Sequence, residues 1–200
     1  WKMFKSVDEA ISLASAVKAL RPTALIGVSG MAKQFTKEIV EEMSRINQRP
    51  VIFALSNPTS QAECSAEEAY VWSDGRALFA SGSPFAPVEH RGRTYVSGQG
   101  NNAYIFPGVG LGVVACAAKR VTDEMFYEAA KTLARLVTQG DLDTGCLFPP
   151  LTKIREVSAH IAAAVIEVAY RRGLATEPKP RDMLAFAKSR QYEPVYKKYA

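Results

Sequence analysis

Three clusters of small polar residues stand directly after short apolar runs. Ser29-Gly30 follows Ala24-Leu-Ile-Gly-Val28, Ser56-Asn-Pro-Thr59 follows Val51-Ile-Phe-Ala-Leu55, and Ser81-Gly-Ser-Pro84 follows Ala77-Leu-Phe-Ala80. None of the three contains His, Cys, Lys, Asp or Glu. Their chemistry is hydrogen-bond donation and close backbone approach to a ligand, not proton transfer. Pro58 biases Asn57 towards an extended backbone, which leaves its side-chain amide free to donate. The same residue is also an ordinary turn former. A fourth cluster, Gly98-Gln-Gly-Asn-Asn102, joins two glycines that permit tight backbone approach to two amides, Asn101 and Asn102, with up to four N–H donors.

Other chemistry-bearing residues read more simply. Gly108-Val-Gly-Leu-Gly112 fails the GxGxxG spacing because residue 113 is Val113, and no strand of a βαβ unit precedes it. It reads as a tightly packed helix start after Pro107. Asp141-Leu-Asp143 lacks a third metal ligand and reads as a solvated loop between helices. Glu63, Glu67 and Glu68 are assigned to helix capping. His160 lies on a helical pattern as a packed histidine, and His90 is expected to be exposed. Two histidines give no Ser–His–Asp or metal–histidine arrangement. Cys64, Cys116 and Cys146 are far apart, with no CxxC or Cys/His cluster, so neither zinc nor a disulfide framework is indicated. A reducing cytoplasm or organelle matrix suits them.

The elements that must position these clusters follow from periodicity and breakers. Ser6-Val-Asp-Glu9 reads as a capping box opening a helix that Arg21-Pro22 stops. Apolar runs at 24–29, 51–56 and 77–81 show no alternation, the pattern of parallel strands buried on both faces. Helices are expected at about 34–47 and, from a second capping box at Ser65–Glu68, to Trp72. Strand–helix–strand–helix–strand order with short links predicts an α/β fold: a partial doubly wound, Rossmann-like parallel sheet, followed by C-terminal helices. A long Gly/Pro-rich loop with a small hairpin near Arg91-Gly92 comes next. Helices are then expected after Pro107, after an N-cap at Thr122, and at 152–172 before Gly173. Ligands of doubly wound folds sit beyond the carboxyl ends of the strands. Gly27-Val-Ser-Gly30 is too short to be specific alone, but it occupies such an end, where backbone could face a nicotinamide or ribose.

Composition narrows the classes. The chain has 200 residues, 48% hydrophobic and 22% charged, which is globular and not disordered. A complete two-domain dehydrogenase needs more chain. Trp1 in first place reads as an internal point of a longer polypeptide. Residues 171–200 hold eight Lys/Arg and three Asp/Glu, so the net charge of +5 belongs to the tail. A solvated helix and arm explains it better than a nucleic-acid surface, despite Tyr192, Tyr196 and Tyr199. No run approaches the roughly 18 apolar residues of a membrane span.

Four segments together resemble malic enzymes. They are Arg49-Pro-Val-Ile-Phe-Ala-Leu-Ser-Asn-Pro-Thr-Ser60, Ala62-Glu-Cys-Ser-Ala-Glu67, Gly75-Arg-Ala-Leu-Phe-Ala-Ser-Gly-Ser-Pro-Phe85 and Gly98-Gln-Gly-Asn-Asn-Ala-Tyr-Ile-Phe-Pro-Gly108. The resemblance runs on through Phe148-Pro-Pro150, Val157-Ser-Ala-His160 and the tyrosine tail, and is nearer the plant and animal NADP-dependent branch than the short bacterial one. It implies oxidative decarboxylation of (S)-malate to pyruvate and CO₂, with reduction of NADP or NAD and a Mg²⁺ or Mn²⁺ ion. It implies that residues 1–118 are the latter part of a dinucleotide-binding domain, with 119–200 as helices packing on it in one structural unit. It implies that Asn57, Asn101 and Asn102 bind malate, and that Gly27, Val28, Ser29 and Asn57 lie along the cofactor. A homo-oligomer is implied for the full-length enzyme, with no nucleic-acid or membrane partner.

The same resemblance implies a tyrosine acid, a lysine base, carboxylate metal ligands and a GxGxxG/A loop, all upstream of the point matching Trp1. No catalytic or metal-binding residue is therefore assigned, and the chain alone is expected to be inactive. The alternative is a non-catalytic malate- or nucleotide-binding module that keeps the donors. A weaker one is a nucleic-acid-binding tail.

Overall fold

The computed structural model describes residues 12–195, so the capping box at Ser6–Glu9, Tyr196 and Tyr199 lie outside the described residues. In chain order the elements are α1 (Leu13–Leu20), β1 (Ala24–Gly27), α2 (Lys37–Ile46), β2 (Val51–Ala54), α3 (Ala66–Trp72), β3 (Leu78–Ser81), β4 (Val88–His90), β5 (Arg93–Tyr95), β6 (Gly98–Gln99), α4 (Phe106–Ala115), α5 (Asp123–Arg135), α6 (Gln139–Asp143), α7 (Ile154–Arg171) and α8 (Met183–Ser189). They divide into two compact units. One comprises residues up to Asn101 with Thr138–Phe148, the other Asn102–Val137 with residues from Pro149 onward.

The first unit is built on a sheet of order β1-β2-β3-β6. All three pairings are parallel, as expected of a doubly wound fold. Ile52, Ala54 and Phe79 are fully buried among Ile39, Val40 and Met43. Tyr70 stacks on Tyr95 at 4.4 Å between ring centroids and meets the Phe79 ring edge-on at 5.8 Å. The capping box at Ser65 and Glu68 opens α3, each side chain accepting from the other residue's backbone N–H. Arg91 and Gly92, at φ 51° and 74°, turn the chain between the antiparallel β4 and β5.

Strand β1 departs from the expectation of burial on both faces. Leu25 and Gly27 are buried, but Ala24 and Ile26 are exposed. Among the described residues β1 pairs with β2 alone, so its apolar run ends as an alternating edge. His90 is also less exposed than expected: its Nε2 is buried without a hydrogen bond, 3.6 Å from an Asp74 carboxylate oxygen.

In the second unit α4 lies against α7. A Cβ on Gly108 would come within 2.6 Å of Ile161, and one on Gly112 within 2.8 Å of the Ala162 carbonyl and Val165. That close approach keeps α4 with the later helices in the second compact unit. Thr122 takes the N-cap place of α5 but makes no side-chain cap bond, and its hydroxyl is buried unpaired. The Glu124 carboxylate receives Arg171 at 2.7 Å and Arg172 at 2.5 Å, tying α5 to the end of α7.

Candidate functional site

Register brings the polar clusters of the first unit to one edge. Gly27, Ala54, Ser81 and Gln99 lie level across the sheet. Three backbone bonds carry the ladder one residue further: Leu55 N to Gly27 O at 2.9 Å, Gly82 N to Ala54 O at 3.0 Å and Gly100 N to Ser81 O at 2.8 Å. Two positions beyond the level row stand Ser29, Ser56, Ser83 and Asn101. Four carboxyl ends of one parallel sheet thus each present a hydroxyl or amide residue, where open α/β sheets take their ligands. Strand β6 supplies the fourth end. Its two residues give no periodic signal in the sequence.

Asn57 lies on this edge, exposed, one residue past Ser56 in a cis peptide with Pro58. The Ser83 hydroxyl donates to its Oδ1 at 2.5 Å. With the oxygen engaged, the NH₂ group is turned to donation. Gly82 makes this possible, since a Cβ there would meet the Leu55 carbonyl at 2.2 Å and Asn57 Oδ1 at 2.7 Å. Gln99 Nε2 donates to the Gly82 carbonyl at 2.9 Å. Val28 is three-quarters exposed. Asn101 closes the first unit and Asn102, next in sequence, opens the second in a 3-10 turn that runs to Tyr104.

Glu63 is the residue that sequence reasoning missed. The capping role belongs to Ser65 and Glu68, and Glu63 is fully buried. Its Oε1 accepts from Ser29 N and Ser29 Oγ, both at 3.0 Å, and from Ser56 Oγ at 2.5 Å; its Oε2 accepts from Ser56 N at 3.3 Å. Burial opposes ionisation, but the Ser56 hydroxyl and the converging backbone N–H groups prevail and hold the carboxyl below its ordinary value. Its partners lie 34 and 7 residues away, so no local motif announces it. The space beside Gly27 is taken by this carboxyl group: a Cβ on Gly27 would fall 2.5 Å from Glu63 Cδ.

The carboxyl group bonded to this row, that of Glu63, is itself buried. Burial first, then the charges of Glu68 and Glu63, push the Cys64 thiol up to about 12, which makes it inert. Burial also pushes Tyr70 up, inside the core. Among the described residues no three or more His, Cys, Asp and Glu side chains come together to hold a metal ion. Gly108 and Gly112 face packed helix, as the sequence suggested. At the amino ends of β2 and β3, away from the polar row, a cavity of about 760 Å³ is lined by Arg49, Arg76, Arg93, Tyr95 and Asp143.

Residues 2–170 match the family described as "Malic enzyme, NAD binding domain". The chain belongs to the malic enzyme family. It is 58% identical, over 92% of its length, to the chloroplastic NADP-dependent malic enzyme of Flaveria pringlei, of which it covers 29%. It is 57% identical over 94% to the NADP-dependent malic enzyme of Vitis vinifera, covering 32% of that protein, and 54% identical over 94% to that of Dictyostelium discoideum, covering 34%. The chain therefore spans about a third of the length of the curated relatives it matches. Among solved structures, the malic enzyme from Pyrococcus horikoshii superposes with a TM-score of 0.62 at 25% identity, over 84% of this chain and 34% of that one. The malic enzyme of Entamoeba histolytica, at 22% identity and TM-score 0.67, shares the fold over 84% of this chain and 32% of its own. The α/β, Rossmann-like architecture read from the sequence is thereby confirmed.

Proposed function

We propose that this chain carries the amide-donor side of the malate and dinucleotide site of a malic enzyme that converts (S)-malate to pyruvate and CO₂ while reducing NADP or NAD. NADP has the support of the relatives' names. The observation that carries the reading is the row of donors across four parallel strand ends, with Asn57 turned to donate. A malate dianion needs such donors. An amide N–H to a carboxylate is worth about 1.5–3 kcal/mol, and amides add no group that competes for the reaction's protons.

In this reading Asn57, Asn101 and Asn102 hold malate carboxylates. Gly27, Val28, Ser29 and Asn57 flank the nicotinamide end of the cofactor, and residues to 118 continue its domain. The dinucleotide, when bound, supplies the hydride acceptor. The chain's own work is to bind and orient. Acid, base and metal ligands lie outside the roles assigned to it, so it binds without turning malate over. Assembly into a homo-oligomer, and a cytoplasmic or organelle-matrix setting, belong to the same reading. Among the described residues no helix is long and apolar enough to cross a membrane.

Calorimetry with (S)-malate tests the assignment. Asn57→Ala is expected to raise the malate Kd by about ten- to a hundredfold. An unchanged Kd removes Asn57 from the site.

A further inference from the structure

We infer that Glu63 is a positioning residue: its buried carboxylate clamps the turns after β1 and β2 into the arrangement that presents Ser29, Gly30 and Asn57 to a ligand. The inference deepens the strand-end reading above and rests on it. Two segments meet on this one side chain. From the β1 turn come Ser29 N and Oγ, and from the β2 turn come Ser56 N and Oγ. The Ser56 hydroxyl relays the clamp further, donating to Glu63 while accepting from Gly30 N at 2.9 Å. The main chain beside Glu63 holds the same loop, with Lys33 N donating to Ala62 O at 3.1 Å and Phe35 N to Glu63 O at 3.0 Å.

Local packing alone does not explain a carboxylate here. Among the described residues no Lys, Arg or His is ion-paired with Glu63. A buried charge without a cation is costly and persists only where donors satisfy it. Every hydrogen bond that the neighbouring turns make to this carboxyl group is a donation to it. That geometry disfavours a glutamine in the same place, because an amide NH₂ replacing either oxygen would face an N–H or O–H donor. Gly27 leaves the space the carboxyl group fills. Glu63 is fully buried and touches no ligand surface, so it acts through the turns. A turn held in place before binding spares the ligand the cost of ordering it.

Amide hydrogen exchange by NMR, paired with calorimetric binding of NADP⁺ and (S)-malate, tests this on the chain and on Glu63→Gln and Ser56→Ala. In Glu63→Gln, exchange at Ser29, Gly30 and Ser56 is expected to rise by about tenfold or more, with Ile39 and Phe79 unchanged. Both Kd values should rise by about tenfold at a temperature where the variant is fully folded. In Ser56→Ala the loss should centre on Gly30, and that variant decides the matter if Glu63→Gln does not fold. A uniform rise in exchange with unchanged Kd values, or unchanged exchange at Ser29 and Gly30, would overturn the clamp. If the unsubstituted chain binds neither probe, the strand-end reading fails, and the exchange pattern alone decides whether the clamp exists.

Discussion

Asn57 and Glu63 show two ways a residue serves one edge of a sheet. Asn57 is exposed and offers donors, while Glu63 is buried and collects them. The place of Asn57 at a strand end was legible because it stands after an apolar run and before proline. Glu63 was not, because its meaning lies in partners brought together only by parallel pairing of β1 with β2. The carboxyl group also makes a prediction about pH. Its value in the folded chain lies below the ordinary carboxylate value of 4.5. Its contribution to stability is therefore complete above that ordinary value and is lost as pH falls through the lower, folded one. Urea unfolding between neutral pH and pH 3 should show stability declining on the acid side, and the decline should be shallower in Glu63→Gln. Parallel pH curves for the two proteins would contradict the assignment. Glu68, whose carboxyl is also held low against burial by Lys33 and the Ser65 backbone, adds to the same acid limb in both.

At the scale of elements, short apolar runs and caps located β1 to β3, α3 and α7 to within a few residues. The sequence did not show β6, which is two residues long and exists through its pairing with β3. Nor did it show that Thr138 and Asp141 form a capping box for α6, in the segment read as a loop. The glycines of α4 were legible as packing residues, and they can be told apart by substitution. A Cβ on Gly110 meets nothing within 4 Å, whereas one on Gly112 meets Ala162 O and Val165 at 2.8 Å. Gly110→Ala should stabilise the chain by about 0.5–1 kcal/mol through helix propensity. Gly112→Ala should destabilise it by about 1–3 kcal/mol through overpacking. Thermal unfolding of the pair checks both signs. The edge strand β1 carries a further expectation. Ile26 is 58% exposed and Val28 75%, and a parallel edge that no other described strand pairs invites pairing with a second copy. Light scattering at rising concentration should show association, weakened by Val28→Lys. A monomer at every concentration would remove it.

For the whole molecule, family membership joins what residue types suggested to what the sheet arranges. The sequence placed three strand-end clusters in one fold class, but only the register shows that they and the Asn101 turn stand level. The break between units was hard to read because glycines in α4 suit equally well the end of one domain or the start of a helical one. Gly108 and Gly112 pack on α7, which places α4 in the second compact unit. Two places in the first unit offer groups that suit an anion: the donor row and the arginine-lined cavity at the opposite strand ends. Titration of the ¹⁵N-labelled chain with (S)-malate distinguishes them most directly. Shifts at Ser29, the Asn57 side-chain amide, Ser83 and Asn101 are predicted. Shifts confined to Arg49, Arg76 and Arg93, or none at saturating malate, would contradict the strand-end site.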